Sequence, residues 1–172
     1  MGITVQQPIG SHRIVTDLNS LRETIVLADR INHLETADGM TETEAAAARD
    51  ERETMTARLR ELAAKVDEST ITIRLRGMRS TEWNMDVMAC TRMVDGKPVK
   101  DGNKLLMMCL PGMVESIVNH DGNNVTMTEQ DIKALVESLA DTQAYELLQT
   151  MQTLNSPATS LPKDVTSLLQ AI

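Results

Sequence analysis

Aromatic side chains are almost missing from this 172-residue chain, which has no Phe, one Trp (Trp83) and one Tyr (Tyr145). Aromatics normally supply the large buried areas of a core, so this core has to be built from Leu, Ile, Val and 12 Met. The same shortage weighs against binding single-stranded nucleic acid, which stacks bases on aromatic rings, and a formal net charge of −8 weighs against binding phosphate backbones. Cysteine is scarce too. Cys90 and Cys109 stand in no metal-ligand spacing and read as small buried hydrophobes of a reducing compartment. No run of about 18 apolar residues occurs, so no membrane span is expected, and no apolar stretch follows a basic start, so no signal peptide is expected. His12, His33 and His120 are isolated, and no G-x-S-x-G, P-loop or dinucleotide fingerprint is present. Asp121 beside His120 reads as part of a solvated Gly/Asn loop rather than a carboxylate–imidazole pair. No catalytic residue, metal ligand or cofactor is expected, and the chain reads as something other than an enzyme.

What the sequence does contain is helical periodicity. Leu18, Leu21, Ile25 and Ala28 recur at steps of three and four, and Ala48, Met55, Leu59, Leu62 and Val66 share one register, with Arg52 in one slot. A 3.5-residue repeat keeps a narrow apolar stripe on one side of a helix, the pattern of helices packed along their length. The Ala37-Asp38-Gly39 break between the two runs predicts an antiparallel helical hairpin. Thr16 or Asp17 can cap its first helix, and Thr41 with Glu44 forms a capping box for the second.

After the hairpin, TITIRLR at 70–76 alternates apolar and polar residues, which predicts a half-buried strand. A lone strand needs a partner, either the stretch around Ile3–Val5 or another subunit. Ser80 is placed to cap a helix with Trp83, Val87 and Cys90 on one face. Asp95-Gly96 and Asp101-Gly102 mark turns. A helix from near Asn103 is interrupted at Pro111-Gly112. Thr128 with Asp131 caps the next, and Asp141 the last, which ends near Asn155. The expected fold is mainly α: a flexible leader (1–15), a helical hairpin arm (16–69), a compact mostly helical domain with one or two short strands (70–155), and a tail (156–172).

Charge is uneven along the chain. Residues 16–69 carry 7 basic and 13 acidic side chains and residues 105–172 carry 2 and 8, whereas residues 70–104 carry 7 and 4. That middle belt fits either an acidic partner or a solvated face. Seven of the methionines fall between Met78 and Met113. They either replace the missing aromatics in the core or form a soft surface that re-packs around a client, centred on Met85, Met88, Met107, Met108 and Met113. Trp83 has the same two readings, core residue or interface anchor.

The order of these pieces resembles the tail assembly chaperones of phages that infect actinobacteria. In that family a charged helical hairpin precedes a strand, a small turn, a basic residue and a Trp helix, matched here by ITIRLRGMRSTEW at 71–83. LLMMCLPGMV at 105–114, MTEQDIKALVESL at 127–139 and TLN at 153–155 follow in the family's order, so the resemblance covers residues 18–155. It marks Arg76, Trp83 and Asn155 as motif positions. One departure stands out: many relatives have a His-Pro-Pro segment after the Trp helix, and CTRMVDGKPV has only Pro98. The resemblance implies a non-enzymatic phage factor of the host cytoplasm, absent from the mature virion. It would bind the tape-measure protein and promote tail-tube polymerisation around it, and a longer frameshifted product is common in the family. The rival reading is a structural virion protein, a minor tail or connector component, that forms homo-oligomers through the hairpin and the strand.

Overall fold

A computed structural model describes residues 4–34, 40–160 and 165. Along them run β1 (Ile9–Val15), α1 (Leu18–Asn32), α2 (Glu42–Glu68), β2 (Thr70–Arg76), α3 (Ser80–Ala89), β3 (Thr91–Val94), β4 (Lys97–Lys100), α4 (Gly102–Met113), β5 (Val114–Val118), α5 (Glu129–Ser138) and α6 (Asp141–Asn155). The expectation of a mainly α chain opening on a helical hairpin is overturned. The described residues form six helices and five strands in two small sheets, an α/β mixture in which the first helix follows a strand. The break at Ala37–Gly39, residue Ile3 and nearly all of the tail beyond Ser160 lie outside the described residues.

β2 is the central strand of the sheet β1-β2-β5, so its partners come from the same chain on both sides. Gly77 N–H donates to Pro8 C=O (2.9 Å) and Thr16 N–H to Ser69 C=O (3.0 Å). As β1 advances its partner residues recede, so β1 and β2 run antiparallel. Ile73 and Leu75 of β2 are fully buried while Arg74 and Arg76 are exposed, the alternation that TITIRLR predicts. β1 lies inside the stretch read as a flexible leader. Its inward residues are Gly10, His12 and Ile14, and only the last is apolar, so no hydrophobic alternation announces it. The pair β3–β4 is announced only by its turn. Asp95 (φ 50°) and Gly96 (φ 75°) make the two-residue hairpin loop that matches strand twist. Val94 and Lys97 close the loop, and Pro98 opposite Met93 takes the next site, where no N–H is required of it.

Two helix starts match the sequence reading and several other helix ends differ from it. α1 is capped by Asp17, which accepts from Ser20 N–H at 2.9 Å, and α2 has the Thr41–Glu44 capping box. α3 is preceded by Arg79 with no side-chain cap, and α6 starts at Asp141 behind Ala140, whose N–H donates to Gln143. α4 runs through Pro111 to Met113, because the proline sits in its last turn, and β5 follows at once.

The chain divides into two compact units. One comprises Arg13–Ile73 with Ile117–Val125, the other Arg74–Ser116 with residues 4–12 and 126–160. In the first, α1 packs against α2, with ion pairs Arg30–Glu51 (3.2 Å) and Arg58–Glu23 (3.8 Å) between them. In the second, α4 packs on α3, α5 and α6, and Leu105, Leu106, Leu110, Met113, Leu147 and Met151 form the fully buried centre. Gly77 meets the end of α6 so closely that a Cβ there would lie 2.7 Å from the Leu154 carbonyl oxygen. Gly77→Ala should therefore lower stability in urea titration by about 1–3 kcal/mol. Gly112→Ala, in a helix with nothing within 4 Å of the new methyl, should be neutral or slightly stabilising.

His12 of β1 is half-buried, with Nδ1 2.9 Å from Thr150 Oγ1. Burial holds its pKa below the usual 6.5, and the Glu146 charge offsets this only in part. The unfolded chain thus takes up the proton first. The contribution of His12 is present above about pH 6.5 and is lost as pH falls through its lowered value. Melting temperatures measured from pH 7.5 to 5 should fall less in His12→Gln than in the parent chain.

Candidate client-binding surface

The candidate surface belongs to the second unit and is built on α3 and α4. In α3 Trp83 turns inward and is buried. Met85 and Met88, three residues apart and so neighbours on one face, stand 70% and 75% exposed. α4 is capped by Asp101, which accepts from Lys104 N–H at 3.0 Å, and buries Leu105, Leu106, Cys109 and Leu110 on its inner side. That leaves Lys104 and Met108 on a common outer stripe. Lys104 Nζ donates to the Ala89 carbonyl (2.9 Å) and Met108 Sδ lies 3.4 Å from Cys90 Sγ, so both sit against the last turn of α3. Met85 and Met88 thus form one exposed pair on α3, and Met108, 43% exposed, is a further exposed methionine beside Cys90 on α4.

Of the five methionines proposed from sequence, these three reach the surface. Met107 is half-buried and Met113, at 1% exposure, belongs to the core. Sequence reasoning missed Met93 on β3, which is 67% exposed beside Val94 and Val99, because β3 itself was read as a turn region. Arg92, Lys97 and Lys100 on the same hairpin make no ion pair among the described residues. Arg74 and Arg76 do not add to this positive surface, since both hold the Glu115 carboxylate.

The three motif positions are structural. Arg76 pairs with Glu115, Trp83 is core, and Asn155 accepts from Met78 N–H (2.6 Å) while donating to the Met151 carbonyl (2.8 Å). The predicted hairpin seam is placed unevenly. Met55 and Leu62 are buried and Leu59 and Val66 half-buried on α2, but on α1 Leu21 is half-buried and Leu18 and Ile25 are exposed. The buried residues of α1 are Ser20 and Ile31. Ser20 is tolerated there because its hydroxyl donates to Asp17 (2.6 Å).

The two thiols beside this surface are held in their protonated form. Burial, followed by the Asp86 carboxylate that accepts from Cys109 Sγ at 3.3 Å, pushes the Cys109 thiol up to about 12. Burial also raises Cys90. Both thiols stay protonated near neutrality, and protonated thiols are poor nucleophiles. Among the described residues no group of three His, Cys, Asp or Glu could hold a metal ion, and no helix is long and apolar enough to cross a membrane.

Met85→Gln with Met88→Gln should leave stability within about 0.5 kcal/mol of the parent. Met113→Ala should cost about 2–5 kcal/mol, as a core truncation does. Chemical denaturation of the two variants measures the contrast. No family model, no curated protein and no solved structure matches this chain.

Proposed function

We propose that this chain is a phage tail assembly chaperone, a non-enzymatic factor that holds an apolar helical tape-measure protein and promotes tail-tube assembly around it. The observation that carries the reading is the exposure of Met85, Met88 and Met108 on α3 and α4 in a chain with almost no aromatic anchors. Thioether side chains are flexible and polarizable, so they adapt to successive segments of a long apolar helix without requiring one sequence. Helix-in-groove contacts of this kind need no chemistry from the surface. An overall charge of −8 favours solubility of the complex. The order of the strand, Trp helix, α4 segment, capped α5 and terminal Leu-Asn, which resembles the actinobacteriophage family, supports the same assignment.

The rival reading, a structural virion component oligomerising through hairpin and strand, drew on an unpaired β2. That strand has β1 on one side and β5 on the other.

Co-expression with the tape-measure protein of the encoding phage should yield a soluble complex. Replacing Met85, Met88 and Met108 together by Gln should abolish it while the variant stays folded. Purified virions should lack the chain. Stoichiometric amounts in the particle, or a complex indifferent to the triple substitution, would sink the proposal.

A further inference from the structure

The outer face of α1 is another exposed apolar surface, and it lies wholly within the first unit. Ile25 and Val26 are 60% and 59% exposed and Leu18 is 39% exposed. Ser20 and Ile31 are buried on the opposite side of the helix. At 100° per residue, Leu18, Arg22, Ile25, Val26, Asp29 and His33 share the outward face. An apolar strip on a charged helix asks for a cover, and the arrangement of this one specifies which.

The strip is self-complementary under a two-fold axis. The point midway between Ile25 and Val26 is also midway between Arg22 and Asp29, and between Leu18 and His33. Two copies of α1 laid antiparallel about that point bring each Ile25 onto the other's Val26. Each Arg22 then meets the other's Asp29, twice over. Val26 borders a cleft of about 330 Å³ whose walls combine Leu27 and Leu62 with the charged Arg22, Glu23, Arg30 and Arg58. Arg22 makes no ion pair among the described residues. Arg30 pairs with Glu51 and Glu23 with Arg58, while Asp29 has His33 Nδ1 of its own helix at 3.4 Å and stays exposed to a partner. A parallel pairing would set Arg22 against Arg22 and Asp29 against Asp29. A closed two-fold interface requires one patch to complement itself, and the opposite charges of Arg22 and Asp29 either side of the Ile25–Val26 centre meet that requirement.

We infer that the outer face of α1 is a homodimer interface, formed antiparallel with a second copy of this chain. Its size sets the strength. α1 has 15 residues and is roughly 22 Å long, so the contact falls below a standard interface and the dimer is weak and reversible. This inference is independent of the client-binding reading, since the two surfaces share no residue.

The test is sedimentation velocity on the full chain across roughly a hundredfold concentration range, which should show a monomer–dimer equilibrium. Ile25→Glu should raise the dissociation constant by about tenfold or more, with an unchanged circular dichroism melt because the site is exposed. Arg22→Asp alone and Asp29→Arg alone should each weaken the dimer, since each creates like-charge pairs across the axis. The double variant Arg22→Asp with Asp29→Arg should return the constant to within about threefold of the parent, because the swapped charges again oppose one another. A parent chain that stays monomeric over the whole range overturns the inference. So does a dimer indifferent to Ile25→Glu, or a double variant no tighter than the singles.

Discussion

The second unit depends on how the end of α6 meets β1 and the exit of β2. Leu154 packs its side chain where a Cβ of Gly10 would come within 3.0 Å, and its backbone carbonyl lies over Gly77. One residue on, Asn155 accepts from the Met78 N–H and contacts Met113 Sδ. Three sequence-distant segments thus converge on two adjacent residues, and glycine is required at 77, where a Cβ would hold the two backbones apart, whereas a Cβ at Gly10 would press only on the end of the Leu154 side chain. His12 adds to the same junction through Thr150. The last helix is therefore part of the core rather than an appendage.

Methionine does two jobs in this molecule, and burial separates them. Met113 and Met151 fill the centre in place of aromatic rings, whereas Met85, Met88, Met93 and Met108 face water. The buried set supplies volume to a core that has Trp83 as its single aromatic, a role suited to an unbranched chain that fits irregular gaps. The exposed set is the main reason to read the chain as a binder of apolar helices. The basic β3–β4 hairpin beside it gives that surface a positive edge in an acidic protein.

Local electrostatics are spent on helix starts. Hydrogen bonds from Ser20, Thr41 and Thr128 hold the carboxyls of Asp17, Glu44 and Asp131 below their ordinary values. These interactions are present at neutral pH and weaken as pH falls through those lowered values, the sign expected for capped carboxylates. Asp86 differs from them, since it accepts from a buried thiol and keeps that thiol protonated.

The sequence by itself determined what is encoded within a turn or two of chain. The boxes at Thr41–Glu44 and Thr128–Asp131, the α2 face at Met55, Leu59, Leu62 and Val66, and the β2 alternation all follow from neighbours three, four or two residues apart. Tertiary structure decided the rest. β1 is a strand although its inward face is Gly10, His12 and Ile14, because close packing against α6 selects smallness and a hydrogen bond rather than hydrophobicity. The apolar repeat of α1 predicted a seam with α2, but the helix turns Ser20 and Ile31 inward and leaves Leu18 and Ile25 outside. Periodicity shows that a helix has an apolar stripe. Which neighbour covers the stripe is set by contacts between residues far apart in sequence, and a local pattern carries no term for them.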